Sequence, residues 1–448
     1  MGPEVAVRGG LGGAPQRLSV VATIVFFPEG AYGPTNNCVG IGHALRRRGH
    51  RIVFVVEESF AGTLEEKGFE ERLMRLQPPA ETEEEPGQFW KDFIRDTGPV
   101  FRKPTIEQLE GFIRPTWEAL VSGSKHADER LREIFDELRP DVIVEDNVVG
   151  FPAVASADCP WVRIMSCNPL ELPDADLPPV FSGYPTADRS GWAEFREEYR
   201  RVHADLHADF DEFVRERGCP PLPELEFIHR SPYLNLFLYP EEADYERTRP
   251  LGPMWERLGS CVRNEPGEMN VPGGDGPLVY LSLGSLGSAD IELMQRLVDL
   301  LAAGGYRAIV SKGPQHDQIE LRENQTGAEL VPQPALLPSV DAVITHGGNN
   351  TVTECLHFGK PMVLLPLFWD QYDNAQRMDE LGLGVRLPTF EFEDAELDAA
   401  IRRLLADDAL GGRLKAISSG LQANPGTEHA AECIESAWSP EPRARARA

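Results

Sequence analysis

Residues 341–377, DAVITHGGNNTVTECLHFGKPMVLLPLFWDQYDNAQR, hold the densest run of groups able to do chemistry. A short apolar run leads into His346-Gly347-Gly348, and a helical pattern begins near Asn350 and Thr351. Two residues without side chains, Gly347 and Gly348, let a ligand approach the backbone closely. The first N–H groups of a helix lack partners inside it and carry the positive end of its dipole. A strand, turn and helix of this kind make a ready cradle for a diphosphate, beside His346, Asn350 and Thr351. Glu354 lies one helical turn on and can accept two hydroxyl hydrogen bonds from a ribose. Gly359 then closes the helix. Taken singly these are weak signals, because a His-Gly-Gly turn is common and an Asp-Gln pair usually starts a solvated helix. The ordered set from Val331 to Asn374 carries the weight.

That ordered set resembles the donor signature of the large family of nucleoside-diphosphate-sugar glycosyltransferases. The family includes plant natural-product, animal UDP-dependent and bacterial macrolide enzymes. The likeness runs over nearly the whole chain and is sharpest at residues 330–377. It implies an α/β fold of GT-B architecture, two doubly wound Rossmann-like domains facing a cleft. By the same likeness His346 contacts the diphosphate with Gly348, Asn350 and Thr351 beside it, and Glu354 holds the ribose. Asp370 and Gln371 would hydrogen-bond hydroxyls of the donor sugar. Ser282 and Ser285 in LSLGS would reach the phosphates, and Gln333 belongs to the Val331-Pro332-Gln333 loop on which the nucleobase rests. Many plant members carry a Trp where this chain has Leu330, a position at which bacterial members often do without it. The implied reaction is inverting transfer of a hexose, foremost glucose from a UDP sugar with a dTDP sugar left open, to a small hydrophobic acceptor. No cofactor and no essential metal are expected, because His346 and the helix N-terminus can neutralise the leaving diphosphate.

One position departs from the family. Its members use a histidine in the loop after the first strand to take the acceptor's proton, and an aspartate about a hundred residues on to orient it. A base of this kind contributes about 10²–10⁴-fold. Here the loop is Gly30-Ala31-Tyr32-Gly33-Pro34-Thr35-Asn36-Asn37, and the histidine position falls on Pro34, which accepts no proton and fixes φ. The aspartate position is kept as Asp146 in DVIVEDN. Three readings stand open: Asp146, or Glu29, acts as the base; the acceptor needs little deprotonation; or the chain binds sugar nucleotides with little or no transfer. Tyr32 and Pro34 are the loop residues placed to touch an acceptor. Among the other histidines, His43 is expected to face solvent, His50 lies at the far end of the sheet, and His126, His203 and His207 lie in polar helical stretches. Phe89, Trp90, Phe93, Phe112, Trp117 and Phe181 either cover their own helices or line an apolar acceptor pocket.

The elements that must position these groups follow from periodicity. Ser19–Phe27 is a β-branched, nearly continuous apolar run, as a buried parallel strand should be. A helix with Cys38, Ile41 and Leu45 on one face follows it, closed by Arg46-Arg47-Arg48-Gly49, and Arg51–Val56 completes a βαβ unit. Further strands are expected at 141–144, 161–165, 234–239, 307–311, 341–345 and 362–365, and 278–285 reads as a strand and its loop. The loop after the first strand lacks G-x-G-x-x-G, so Glu57 alone makes a poor case for a dinucleotide site. The expected organisation is a loose leader (1–17), an acceptor domain (18–240), a linker (241–276), a donor domain (277–425), and a final helix with a loose tail (426–448).

At 448 residues two cores are the natural expectation. A formal charge of −28 argues against nucleic acid and anionic lipid as partners. The 7 cysteines are scattered, without metal-ligand spacing, which suits a reduced cytoplasmic enzyme. No apolar run approaches the roughly 18 residues of a membrane span. The expected partners are a nucleotide sugar and a small hydrophobic acceptor, with a monomer or weak homodimer as the assembly.

Overall fold

The structure, a computed structural model, describes residues 21–77, 97–267 and 269–438. The expected leader, the last ten residues of the expected tail, and Phe89, Trp90 and Phe93 lie outside them.

Two parallel sheets organise the chain. The first contains β1 (Thr23–Pro28), β2 (Arg51–Glu57), β3 (Glu70–Met74), β4 (Val142–Asp146), β5 (Trp161–Met165), β6 (Leu234–Phe237) and β7 (Trp255–Arg257), in the order β3-β2-β1-β4-β5-β6-β7. The second contains β8 (Leu278–Ser282), β9 (Arg307–Ser311), β10 (Gln325–Ala328), β11 (Ala342–Thr345), β12 (Met362–Leu364) and β13 (Gly384–Arg386), in the order β10-β9-β8-β11-β12-β13. The central strands are buried on both faces, which is why they read as continuous apolar runs. In each sheet the chain order reverses beside the first strand, between β1 and β4 and between β8 and β11. In doubly wound sheets a crevice for ligands opens at the strand ends of such a reversal.

The longer helices are α1 (Tyr32–Arg47), α2 (Arg114–Leu138), α3 (Trp192–Glu216), α4 (Ile291–Ala303), α5 (Asn349–Phe358), α6 (Gln371–Glu380), α7 (Asp394–Ala406), α8 (Asp408–Ala423) and α9 (Gly426–Trp438). One core lies between the second sheet and its helices. The first sheet has a core on each face, one against α2 and α3, the other against α1 and α9. The last helix thus returns to the first sheet, with Ala430, Ala431 and Ile434 fully buried.

The segment 241–276 is more than a connection. Trp255–Arg257 within it pairs in parallel with β6 and extends the first sheet by a strand. β1 begins at Thr23 rather than Ser19.

Candidate functional site

The two crevices face each other across the start of α5. Gly348 caps that helix, and the Asn349 amide donates to the carbonyls of Ser166 (2.6 Å) and Leu238 (3.4 Å) in the first domain. The first turn of α1 lies opposite, close enough that a Cβ on Gly33 would sit 3.9 Å from the Cβ of Asn350. Two helix N-termini therefore converge on one gap. Both present unpaired N–H groups and positive dipole ends.

His346 leaves β11 and turns its ring over Gly284 and Gly348, where an added Cβ at either glycine would collide with the imidazole. The space at Gly348 thus belongs to this ring, a correction to its reading as room for a ligand. Gly347 does have a backbone reason, a φ of +86°. Burial lowers the His346 pKa to about 4, against an opposing bond to the Ser282 backbone. The imidazole is therefore neutral at pH 7 and offers a hydrogen bond, and attraction for a diphosphate falls to the helix termini.

Glu354, 2% exposed, accepts hydrogen bonds from Gln333 Nε2 (2.6 Å), Arg263 Nη1 (2.9 Å) and Asn350 Nδ2 (3.1 Å). Burial still raises its pKa, with Arg263 as the largest opposing influence. It is not the free carboxylate that the spacing suggested: a ribose would have to share it with these donors. Arg263 was missed because it stands 91 residues away in the segment taken for linker. Thr351 is buried beside Gln333. Ser282 ends β8, and its hydroxyl accepts from Gly284 N (3.4 Å), while Ser285 lies in the single turn Gly284–Gly287.

Asp370 immediately precedes α6. Its Oδ2 accepts from Asn168 N (2.9 Å) and Asn374 Nδ2 (3.3 Å), and burial raises its pKa to about 7. Gln371, read as a sugar contact, has its Oε1 taken by the amides of Leu367 (3.0 Å) and Phe368 (3.2 Å). Those bonds hold a loop in which Trp369 adopts φ +58°. Phe368 and Trp369 project into the first domain. There Trp369 packs on Phe181 (centroids 4.4 Å apart) and Trp117 (5.1 Å), and Trp117 stacks on Phe227 (4.3 Å).

On the other side of the gap Asp146 ends β4 beside Pro28. Ser166 Oγ donates to its Oδ1 (2.7 Å), and its Oδ2 has no hydrogen-bond partner. Asn37 also approaches this carboxyl, and burial raises its pKa to about 7. With 2% exposure and Asn37 of α1 against it, the Asp146 carboxyl is covered. This geometry suits a positioning group better than a base that must meet an acceptor. Pro34 sits in that first turn, where a missing N–H is harmless. Tyr32, 46% exposed, packs on Phe60.

The five other histidines singled out in the sequence are engaged elsewhere or exposed. His43 packs on Phe69 rather than facing solvent. His50 is buried with Glu435 at 3.0 Å, His203 and His207 bond the carbonyls of Tyr199 and Pro223, and His126 is exposed. Among the described residues no helix is long and apolar enough to cross a membrane.

Comparison with known proteins bears on the fold and on the second half of the chain. Residues 260–420 match the model of the family described as UDP-glucoronosyl and UDP-glucosyl transferase. The chain is 25% identical over 414 residues to NDP-glycosyltransferase YjiC of Bacillus subtilis (strain 168), covering 90% of this chain and 94% of that one. It is also 25% identical over 422 residues to oleandomycin glycosyltransferase of Streptomyces antibioticus, covering 92% and 90%. The fold resembles the glycotransferase of kitacinnamycin (TM-score 0.67, 23% identity, 94% of this chain and 100% of that one). It also resembles the calicheamicin glycosyltransferase CalG4 (TM-score 0.62, 20% identity, 93% and 98%). The paired parallel sheets give this chain the GT-B fold, and its residues 260–420 are similar to the donor half of UDP-glucoronosyl and UDP-glucosyl transferases.

Proposed function

We propose that the protein transfers a hexose, foremost glucose from UDP-glucose, to a small hydrophobic natural-product or xenobiotic acceptor, with inversion at the anomeric carbon. The observation that carries this is the start of α5, where His346, Asn350 and Thr351 surround unpaired amides and the Glu354–Gln333–Arg263 set lies one turn below. In this reading the diphosphate lies on the helix N-terminus with a hydrogen bond from neutral His346, and Ser282 and Ser285 border it. The ribose meets Glu354, the base rests by Gln333, and Asp370 holds sugar hydroxyls. No metal is required, since the amides and the dipole balance the leaving diphosphate. The acceptor lies between Tyr32 and the aromatic wall of Trp117, Phe181 and Trp369. Oleandomycin glycosyltransferase and the zeaxanthin glucosyltransferase of Pseudescherichia vulneris, 25% identical over 341 residues, are relatives named for such acceptors.

The test is calorimetric titration with UDP and dTDP, then turnover of UDP-glucose and dTDP-glucose on a panel of phenols, alcohols and thiols. His346→Ala is expected to weaken UDP binding about 10- to 100-fold, the worth of a hydrogen bond to a charged group. Unchanged affinity would remove His346 from the diphosphate site. Binding without product on any acceptor would favour a second reading, a sugar-nucleotide binder, which Pro34 at the family's histidine position supports.

A further inference from the structure

We infer that Glu29 takes the acceptor's proton in the transfer step, the role that Pro34 cannot fill. This inference rests on the transferase reading above. Glu29 follows β1 directly, at the mouth of the crevice where the order of the first sheet reverses. Its backbone is fixed there, with its N–H donated to Asp146 O (2.9 Å) and its carbonyl accepting from Ala31 N (2.6 Å).

The acids facing Glu29 and those holding the crevice are bonded to the fold, Asp146 through one of its two oxygens. Asp146 accepts from Ser166 and is closed over, Asp370 accepts from Asn168 and Asn374, and Glu171 pairs with Arg163 at 2.5 Å. Asp373 accepts from the amides of Phe181 (2.6 Å) and Gly183 (2.8 Å), and Glu354 pairs with Arg263. A carboxylate that serves the fold holds an amide or a guanidinium in this way. The Glu29 side chain holds neither among the described residues, and it stays partly exposed. Glu29 stands beside the end of β4, its N–H bonded to Asp146 O, at the strand ends that open the crevice, and it feels the charge of Asp370 of the second domain.

The charged and titratable groups facing it are Glu171 after β5, Asp370 before α6, Asp146 on β4 and the Cys167 thiol. Burial first, then Glu171 and Asp370, raise its pKa to about 7, so near neutral pH a sizeable fraction is both ionised and basic. In the step, the acceptor O–H proton passes to the Glu29 carboxylate and the oxygen lone pair attacks the anomeric carbon. The bond from that carbon to the diphosphate oxygen breaks, and its electron pair leaves with the nucleoside diphosphate.

The test uses the full chain with UDP-glucose or dTDP-glucose, and two acceptors of opposite acidity, 2-phenylethanol and 4-nitrophenol. For Glu29→Gln, kcat on 2-phenylethanol is expected to fall about 10²–10⁴-fold, with UDP affinity by calorimetry retained. On 4-nitrophenol, already ionised near neutral pH, the loss is expected to stay below about tenfold. The rise of kcat/KM through about pH 7 seen with the alcohol flattens in the variant, and Glu29→Asp restores part of it. Unchanged kcat on the alcohol, or an equal loss on both acceptors, would overturn the assignment. A wild type that binds UDP yet turns over neither acceptor with either donor would instead overturn the transferase reading, and this assignment with it.

Discussion

Removing the Arg263 guanidinium would strand the Glu354 carboxylate in a buried site, and breaking such a pair from one side costs about 3–5 kcal/mol. Arg263→Met is therefore expected to lower the free energy of unfolding by that order, measured in urea, and to weaken UDP binding together with it. Adding Glu354→Gln should recover much of the stability without restoring the binding, because the neutral amide no longer needs the arginine. An additive double variant would mean that the two residues are not coupled as the 2.9 Å contact requires. The same pair marks where the sequence stops being legible at this scale. His346, Asn350, Thr351 and Glu354 are recoverable because one strand, turn and helix carries them all within a few residues. Arg263 reaches them only through the fold, and nothing in its local sequence sets it apart. Gln371 shows the converse: its neighbours in sequence suggest a sugar contact, but not that two amides of its own loop occupy its oxygen and leave only its Nε2 to donate.

Among the elements, the return of α9 onto α1 separates charge from packing. Arg47 and Arg48 pair with Glu428, Glu432 and Glu435 along the rim of this contact, all partly exposed. Beneath them Ala430, Ala431 and Ile434 fill the core that α1 shares with the first sheet. Surface pairs of this kind are worth about 0–1 kcal/mol each, whereas truncating a fully buried isoleucine costs about 2–5 kcal/mol. Glu428→Ala is thus expected to leave the unfolding midpoint almost unmoved and Ile434→Ala to lower it clearly; the reverse order in urea titrations would place the hold in the ion pairs. Burial also decides which elements could be read in advance. β1, β4, β8 and β11 are covered on both faces and announce themselves as apolar runs. β3, β7, β10 and β13 lie toward the sheet edges, are short and carry polar residues such as Glu70, Glu71 and Glu256, so neither alternation nor an apolar run marks them. The expected linker contained β7 for that reason.

For the molecule as a whole, the structure buries acids whose folded-state pKa values lie above their unfolded ones. Glu29, Asp146 and Asp370 are raised to about 7, and Glu145 and Asp373 to about 8, with burial the first cause in each. Such groups hold protons in the folded state that the unfolded chain has already released, so their contribution is full below the unfolded pKa and is lost as pH rises through 7 to 8. Histidines act in the other direction. His203 and His346 are lowered to about 4 by burial, so their contribution is complete above the ordinary histidine value and is lost as pH falls toward 4. The two trends oppose each other below about pH 6.5, and above it the carboxyl groups act alone. The buried thiols of Cys38, Cys167, Cys261 and Cys355, all raised by burial, extend the same trend above pH 8. With a net charge of −28, self-repulsion adds in the same sense. Urea-unfolding midpoints are therefore expected to fall steadily from pH 6.5 to pH 8 at constant ionic strength. A tenfold difference in proton affinity between the folded and unfolded states is worth about 1.4 kcal/mol for a single group, so the fall in stability should exceed that figure. A flat or rising midpoint over this window would mean that these carboxyls are ionised in the folded protein, and Glu29 would then be too weak a base near neutral pH for the role assigned to it.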